Sequence, residues 1–158
     1  MNYNEARRIA TAISDDHTRS FAMYEYTRPV YYYETDKMGV VHHSNYARWL
    51  EEARTFYFSD MDLAYVETED QGVMCPVTDM SLKFKHPAKY GDSFTVCVKL
   101  TKYTGVRFRI EYIVVNQNGD TLAECESGHA FINEAHKPIS LARAIPHRHE
   151  LMKKLVSL

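Results

Sequence analysis

Apolar residues alternate with polar ones over two long stretches. In residues 93–103, Phe94, Val96, Val98 and Leu100 alternate with Thr95, Cys97, Lys99 and Thr101. In residues 106–116, Val106, Phe108, Ile110, Tyr112 and Val114 alternate with Arg107, Arg109 and Glu111. A period of two predicts strands with one face buried. Residues 73–85 and 121–132 are predicted as further strands, and residues 22–33 as the first, with Pro29 marking an edge or a bulge. The period changes to helical over residues 45–59. There Tyr46, Trp49, Leu50, Ala53, Phe56 and Tyr57 define a buried face, and Glu51, Glu52 and Arg54 are expected to meet water or a partner. A short helix is expected near 62–70, stopping before Gly72. Asn118-Gly119 predicts a hairpin turn, and Tyr103-Thr104-Gly105 a weaker one. Pro146 precedes an amphipathic tail helix, 147–158. Residues 3–14, with Ala6, Ile9, Ala10 and Ile13 on one side, predict a short helix in an N-terminal extension covering 1–20. One long helix with about five strands implies a single α+β domain over 21–146, its helix against one sheet face.

Composition adds exclusions. A length of 158 residues suits one domain with a real core. The net charge of −2, from 19 basic and 21 acidic residues, gives no global case for nucleic acid or an anionic membrane surface. No apolar run approaches the ~20 residues of a membrane helix, and the first residues lack an apolar signal core. The expectation is a soluble, cytoplasmic protein. Cys75, Cys97 and Cys125 are odd in number and widely spaced, so they read as small buried hydrophobes in a reducing compartment.

The candidate chemistry lies at one junction, Glu34-Thr35-Asp36-Lys37-Met38-Gly39-Val40-Val41-His42-His43-Ser44-Asn45-Tyr46. The aromatic run Pro29-Val30-Tyr31-Tyr32-Tyr33, read as strand, hands over there to the long helix. Asp36 either bonds its own backbone in a turn or supplies a carboxylate that is ionised at neutral pH, fit for nucleophile or general base. Gly39 permits a left-handed turn and a close approach. Ser44 or Asn45 serves as helix cap. The first N–H groups of the helix lack internal partners and face the positive end of its dipole, a place for a developing oxyanion. His42 and His43 as a metal pair is disfavoured, because adjacent side chains point apart and no HxxxH spacing occurs; His86, Asp79 and His129 could join only through the tertiary fold. Lys83, Lys85, His86 and Lys89 form a basic stretch that is either a solvated strand face or a contact for phosphates. Arg107, Arg109, Arg143 and Arg148 are further, unranked candidates. Tyr46 and Trp49 read as core that could also line a pocket.

The element order, with Tyr33-Glu34-Thr35-Asp36, Met38-Gly39-Val40-Val41, His43-Ser44-Asn45-Tyr46, Glu51 and Arg54, resembles the hotdog fold. More narrowly it resembles the 4-hydroxybenzoyl-CoA thioesterase-like family of acyl-CoA thioesterases. The resemblance runs from about Met23 to Pro146, and the segment Ser81 to Asp92 is similar to the family's second strand and following turn. It departs at His42, where many relatives carry Tyr. The resemblance implies a sheet of about five antiparallel strands wrapped around one long helix, and hydrolysis of acyl-CoA to free acid and coenzyme A. It implies Asp36 as the catalytic carboxylate and the His43 amide as oxyanion donor. Gly39, Val40, His42, Ser44, Asn45, Tyr46, Lys83 and Lys85 would then contact substrate. No metal and no cofactor is implied, since coenzyme A is part of the substrate. The implied partner is a second copy of the chain, in a homodimer or homotetramer, without nucleic acid or membrane. Two rivals remain. A hotdog dehydratase or hydratase would carry a proline near its catalytic histidine, which Val41-His42-His43-Ser44 lacks. A non-catalytic acyl-CoA-binding module would have no need of Asp36 with Gly39.

Overall fold

The computed structural model describes the backbone of Arg7–Ile9 and residues 23–158. Its strands are β1 (Arg7–Ile9), β2 (Tyr24–Pro29), β3 (Val77–Phe84), β4 (Ser93–Tyr103), β5 (Arg107–Asn116) and β6 (Thr121–Ala130). They form one antiparallel sheet in the order β1-β2-β4-β5-β6-β3. The main helix, α1 (Ser44–Asp60), lies on one face; α2 (Tyr65–Glu69), α3 (Leu141–Ala144) and α4 (Pro146–Val156) complete the α+β layout.

The alternation is legible in the burial. Phe94, Val96, Val98 and Leu100 of β4, with Phe108, Ile110, Tyr112 and Val114 of β5, are all buried. They meet Tyr46, Trp49, Leu50, Ala53, Tyr57 and Phe58 of α1 in one continuous core. Trp49 stacks on Phe94 with ring centroids 3.7 Å apart. Gly119, with φ +85°, closes the β5–β6 hairpin. Pro146 occupies the first turn of α4, where its missing N–H costs nothing.

Five expectations are corrected. Arg7–Ile9 is strand, paired antiparallel with Tyr24–Tyr26, because the open edge of β2 offers unpaired backbone groups. The rest of the predicted 3–14 helix lies outside the described residues. The first strand stops at Pro29. The aromatic run after it makes a 3-10 turn, Tyr32–Glu34, instead of continuing as strand; the Val30 amide leaves the ladder for the Asp92 carbonyl at 2.8 Å. Strand β3 begins only at Val77, after Pro76. Phe56 is half-buried, stacked on Tyr26.

Arg54 is the largest departure. It is 6% exposed, not solvated. Its Nε donates to the Tyr65 hydroxyl at 2.9 Å and its Nη1 to the Tyr112 hydroxyl at 3.3 Å. Tyr112 then meets Ser127 Oγ at 2.8 Å, and Ser127 Oγ meets His129 Nε2 at 2.7 Å. The sheet encloses this polar chain against the helix, which helical periodicity alone could not indicate.

Candidate active site

The turn that carries Asp36 is built from backbone. Thr35 and Val41 form an antiparallel bridge. Inside it, Asp36 N donates to Val40 O and Gly39 N to Asp36 O, both at 2.9 Å. Met38 N donates to Asp36 Oδ1 at 2.8 Å, an Asx turn. The carboxylate is half-buried, and Oδ2 has no partner among the described residues. So the turn reading of Asp36 is met by one oxygen, and the other is left without a partner among the described residues.

Gly39 has φ +75° and nothing within 4 Å of where a Cβ would stand. Its structural contribution is the left-handed backbone rather than room for a neighbour within the chain. Gly39→Ala is therefore expected to destabilise by about 1 kcal/mol through backbone strain alone. Urea unfolding checks this, and a loss several times larger would reveal a steric role.

The helix entry differs from plain capping. The cap position is His43, and no side-chain cap bond is made. Ser44 N reaches His42 Nδ1 at 3.3 Å, and Ser44 Oγ lies 2.8 Å from the same nitrogen. Asn45 N bonds His42 O at 3.0 Å and Tyr46 N bonds His43 O at 3.2 Å. The His43 amide alone of this run has no acceptor among the described residues, and it belongs to an exposed residue at the end of α1 where the helix dipole is positive. The rings of His42 and His43 lie 4.1 Å apart, so these neighbours do not point apart as expected.

Below the turn is a feature the sequence reading missed. Glu34 is 3% exposed. Its Oε1 accepts from Arg28 Nη2 at 2.7 Å and from Trp49 Nε1 at 2.8 Å. Its Oε2 accepts from Tyr31 N at 2.8 Å and Arg28 Nη1 at 3.1 Å. Burial pushes this carboxyl up, but the bonds from Arg28, Trp49 and the Tyr31 amide outweigh it and hold it below the usual carboxylate range. The Glu34 carbonyl accepts from His42 N at 2.9 Å and from Asn45 Nδ2 at 2.8 Å. Only the proximity of Glu34 to Asp36 in sequence hinted at it; nothing in the spacing says that the side chain turns inward.

The remaining predicted residues divide. Val40 bridges Lys89, and Val41 N bonds Ala88 O at 2.8 Å, so Lys89 is drawn to the turn. Asn45 and Tyr46 are buried, Asn45 committed to Glu34 and Tyr46 edge-on to Phe84 at 5.0 Å. Since Phe84 points toward α1, the strand period sends Lys83 and Lys85 to the opposite sheet face, where Lys85 pairs with Glu124 at 3.2 Å. Arg148 is 2% exposed and paired with Glu67, and Arg109 pairs with Asp79 and Glu126; Arg107 and Arg143 are exposed. His86 bonds Thr121 O at 2.9 Å, apart from Asp79 and His129. No group of three or more His, Cys, Asp or Glu that could hold a metal gathers among the described residues. All three thiols are free, and burial pushes Cys75 and Cys125 up to about 12 and Cys97 up to about 11. Among the described residues no helix is long and apolar enough to cross a membrane.

Residues 30–155 match the thioesterase-like superfamily, from the aromatic run through the tail helix. The chain belongs to that superfamily. The thioesterase-like match takes in the Asp36 turn, α1 and all of β3 to β6. YneP of Bacillus subtilis (strain 168), named provisionally as an acyl-CoA thioesterase, is 34% identical over 126 residues that cover 79% of this chain and 91% of YneP. The 1,4-dihydroxy-2-naphthoyl-CoA hydrolase of Thermosynechococcus vestitus is 25% identical, covering 72% of this chain and 78% of that protein. The crystal structure of the DHNA-CoA thioesterase of Staphylococcus aureus superposes with a TM-score of 0.82 at 34% identity, covering 85% of this chain and 91% of that one. The expected fold and enzyme class, a hotdog-fold thioesterase, therefore stand.

Proposed function

We propose that this thioesterase hydrolyses acyl-CoA esters, with Asp36 supplying the carboxylate and the His43 amide receiving the carbonyl oxygen. The observation that carries the reading is the unpaired His43 amide at the mouth of α1, beside a turn whose aspartate keeps one oxygen free. As Asp36 attacks the thioester carbon, or takes a proton from an attacking water, negative charge grows on the carbonyl oxygen. A preorganised amide at that place is typically worth about 3 to 4 kcal/mol in the transition state. The C–S bond then breaks and the thiolate leaves without needing a strong general acid. Water supplies the oxygen and the proton that end on free acid and thiol.

Aromatic acyl groups fit the surroundings. Tyr32 and Tyr90, 76% and 64% exposed, meet edge to face beside the turn, and Tyr31 stacks with Tyr33. These exposed rings favour a flat, apolar acyl group. One relative is named for 1,4-dihydroxy-2-naphthoyl-CoA and another for DHNA-CoA. Strand β3, an edge strand with Val77 and Phe84 about half exposed, is suited to pairing with a second copy in a homodimer or homotetramer. Thiol release measured across aromatic and short- to long-chain acyl-CoA esters tests the reading. Turnover is expected, with the highest kcat/KM for aromatic esters. Binding without thiol release across the panel, or loss of an enoyl absorbance without free thiol, would sink it.

A further inference from the structure

We propose that Glu34 is a positioning residue for hydrolysis, setting the separation between the Asp36 carboxylate and the His43 amide; this rests on the reading just given. A carboxylate at 3% exposure is costly unless every acceptor site is used. Here both oxygens are used twice, by Arg28, Trp49 and the Tyr31 amide. Those donors belong to the end of β2, the 3-10 turn and the second turn of α1. Through its carbonyl the same residue also takes His42 N and Asn45 Nδ2, the segment entering α1. One residue is thus bonded through its side chain to the end of β2 and to α1, and through its carbonyl to the segment that enters α1.

The consequence is geometric. Asp36 follows Glu34 by two residues, and His43 follows the bonded His42 amide by one. If Glu34 shifts, the carboxylate and the oxyanion donor move relative to each other. A displacement of about 1 Å costs on the order of 100-fold in rate. A pair that merely stabilised the fold would lower the melting temperature and leave the folded protein's turnover unchanged. Arg28 is held from its other side by Glu52, Nε to Oε2 at 2.8 Å, so the guanidinium stays in place when Glu34 changes.

Glu34→Gln keeps the shape and loses the charge. Trp49→Phe keeps an aromatic ring on Phe94 and removes the donor to Oε1 together with part of the buried indole. Both are compared with wild type, Asp36→Ala and Glu34→Gln/Asp36→Ala, using benzoyl-CoA well below each melting temperature. In Glu34→Gln, kcat is expected to fall about 100-fold with KM within about threefold, the signature of a lost transition-state interaction. Little further fall is expected on the Asp36→Ala background, because residues acting as one unit do not add. Trp49→Phe is expected to lower kcat about tenfold with KM unchanged; it decides the matter if Glu34→Gln does not melt cooperatively. A folded variant with wild-type kcat, or a Glu34→Gln loss that multiplies in full onto Asp36→Ala, overturns the positioning role alone. Wild-type turnover by Asp36→Ala overturns the reading of the site as well.

Discussion

Replacing Asp36 with alanine is expected to lower kcat for thioester hydrolysis by about 100- to 10,000-fold, the range a positioned acid or base contributes. The fold should survive. The carboxylate's one structural bond is the acceptance from Met38 N at 2.8 Å, worth about 1 kcal/mol. The turn is otherwise held by the Thr35–Val41 bridge and the Glu34 carbonyl, which the substitution leaves alone. Asp36→Asn sharpens the test: the amide oxygen can keep the Asx bond while the charge is gone. Loss of thiol release in a variant of unchanged urea midpoint would assign the effect to chemistry. Equal turnover by wild type and either variant would remove Asp36 from the mechanism.

The second large effect concerns acid. His129 is 1% exposed and stacked on Phe108 with centroids 4.7 Å apart. Burial, then the charge of Arg54, push its pKa down from 6.5 to about 3, with Arg109 adding to the fall and Asp79 opposing it. The native state therefore keeps His129 neutral, while the unfolded chain takes up a proton below pH 6.5. Stability from this group is whole above that pH and is lost as pH falls toward 3, because the unfolded state binds the extra proton. The slope is about 1.4 kcal/mol per pH unit, or roughly 2 kcal/mol by pH 5. Glu34 and Asp79, whose carboxyls are held low, lose their contribution as pH falls through the ordinary carboxylate range and below it, so the window from pH 6.5 to 5 lies above both. Urea unfolding at pH 7, 6 and 5 should show the decline, and His129→Gln should flatten it. A flat wild-type profile, or the same slope in the variant, would count against a neutral buried imidazole.

The fold was legible where a residue's fate is set by its own element. Phe94 to Leu100 and Phe108 to Val114 gave strands with the right face inward, and Tyr46 to Tyr57 gave α1 within a residue at each end. Asn118-Gly119 and Pro146 marked a hairpin and a helix start through their own backbone chemistry. The site was legible only as a place. Asp36, Gly39 and His43 were singled out by a junction motif, and their turn and helix mouth are where the motif predicted. The capping roles given to Ser44 and Asn45 did not hold, since Ser44 engages His42 and Asn45 engages the Glu34 carbonyl. In sequence, Lys83 and Lys85 read as either a solvated strand face or a contact for phosphates; they lie on the sheet face opposite Phe84, a placement that the strand period supplies.

The order of hydrophobic and polar positions, by itself, determined β4, β5, β6, the long helix and the tail helix. Local geometry suffices for those, because 3.6-residue and two-residue periods are written along consecutive positions. Tertiary structure alone decided which polar groups go inside. Glu34 is buried because Arg28 and Trp49 arrive from another strand and another helical turn, and Arg54 because Tyr65 and Tyr112 do. A buried charge is tolerated only when its partners converge on it, and partners that arrive from different elements leave no trace in either period.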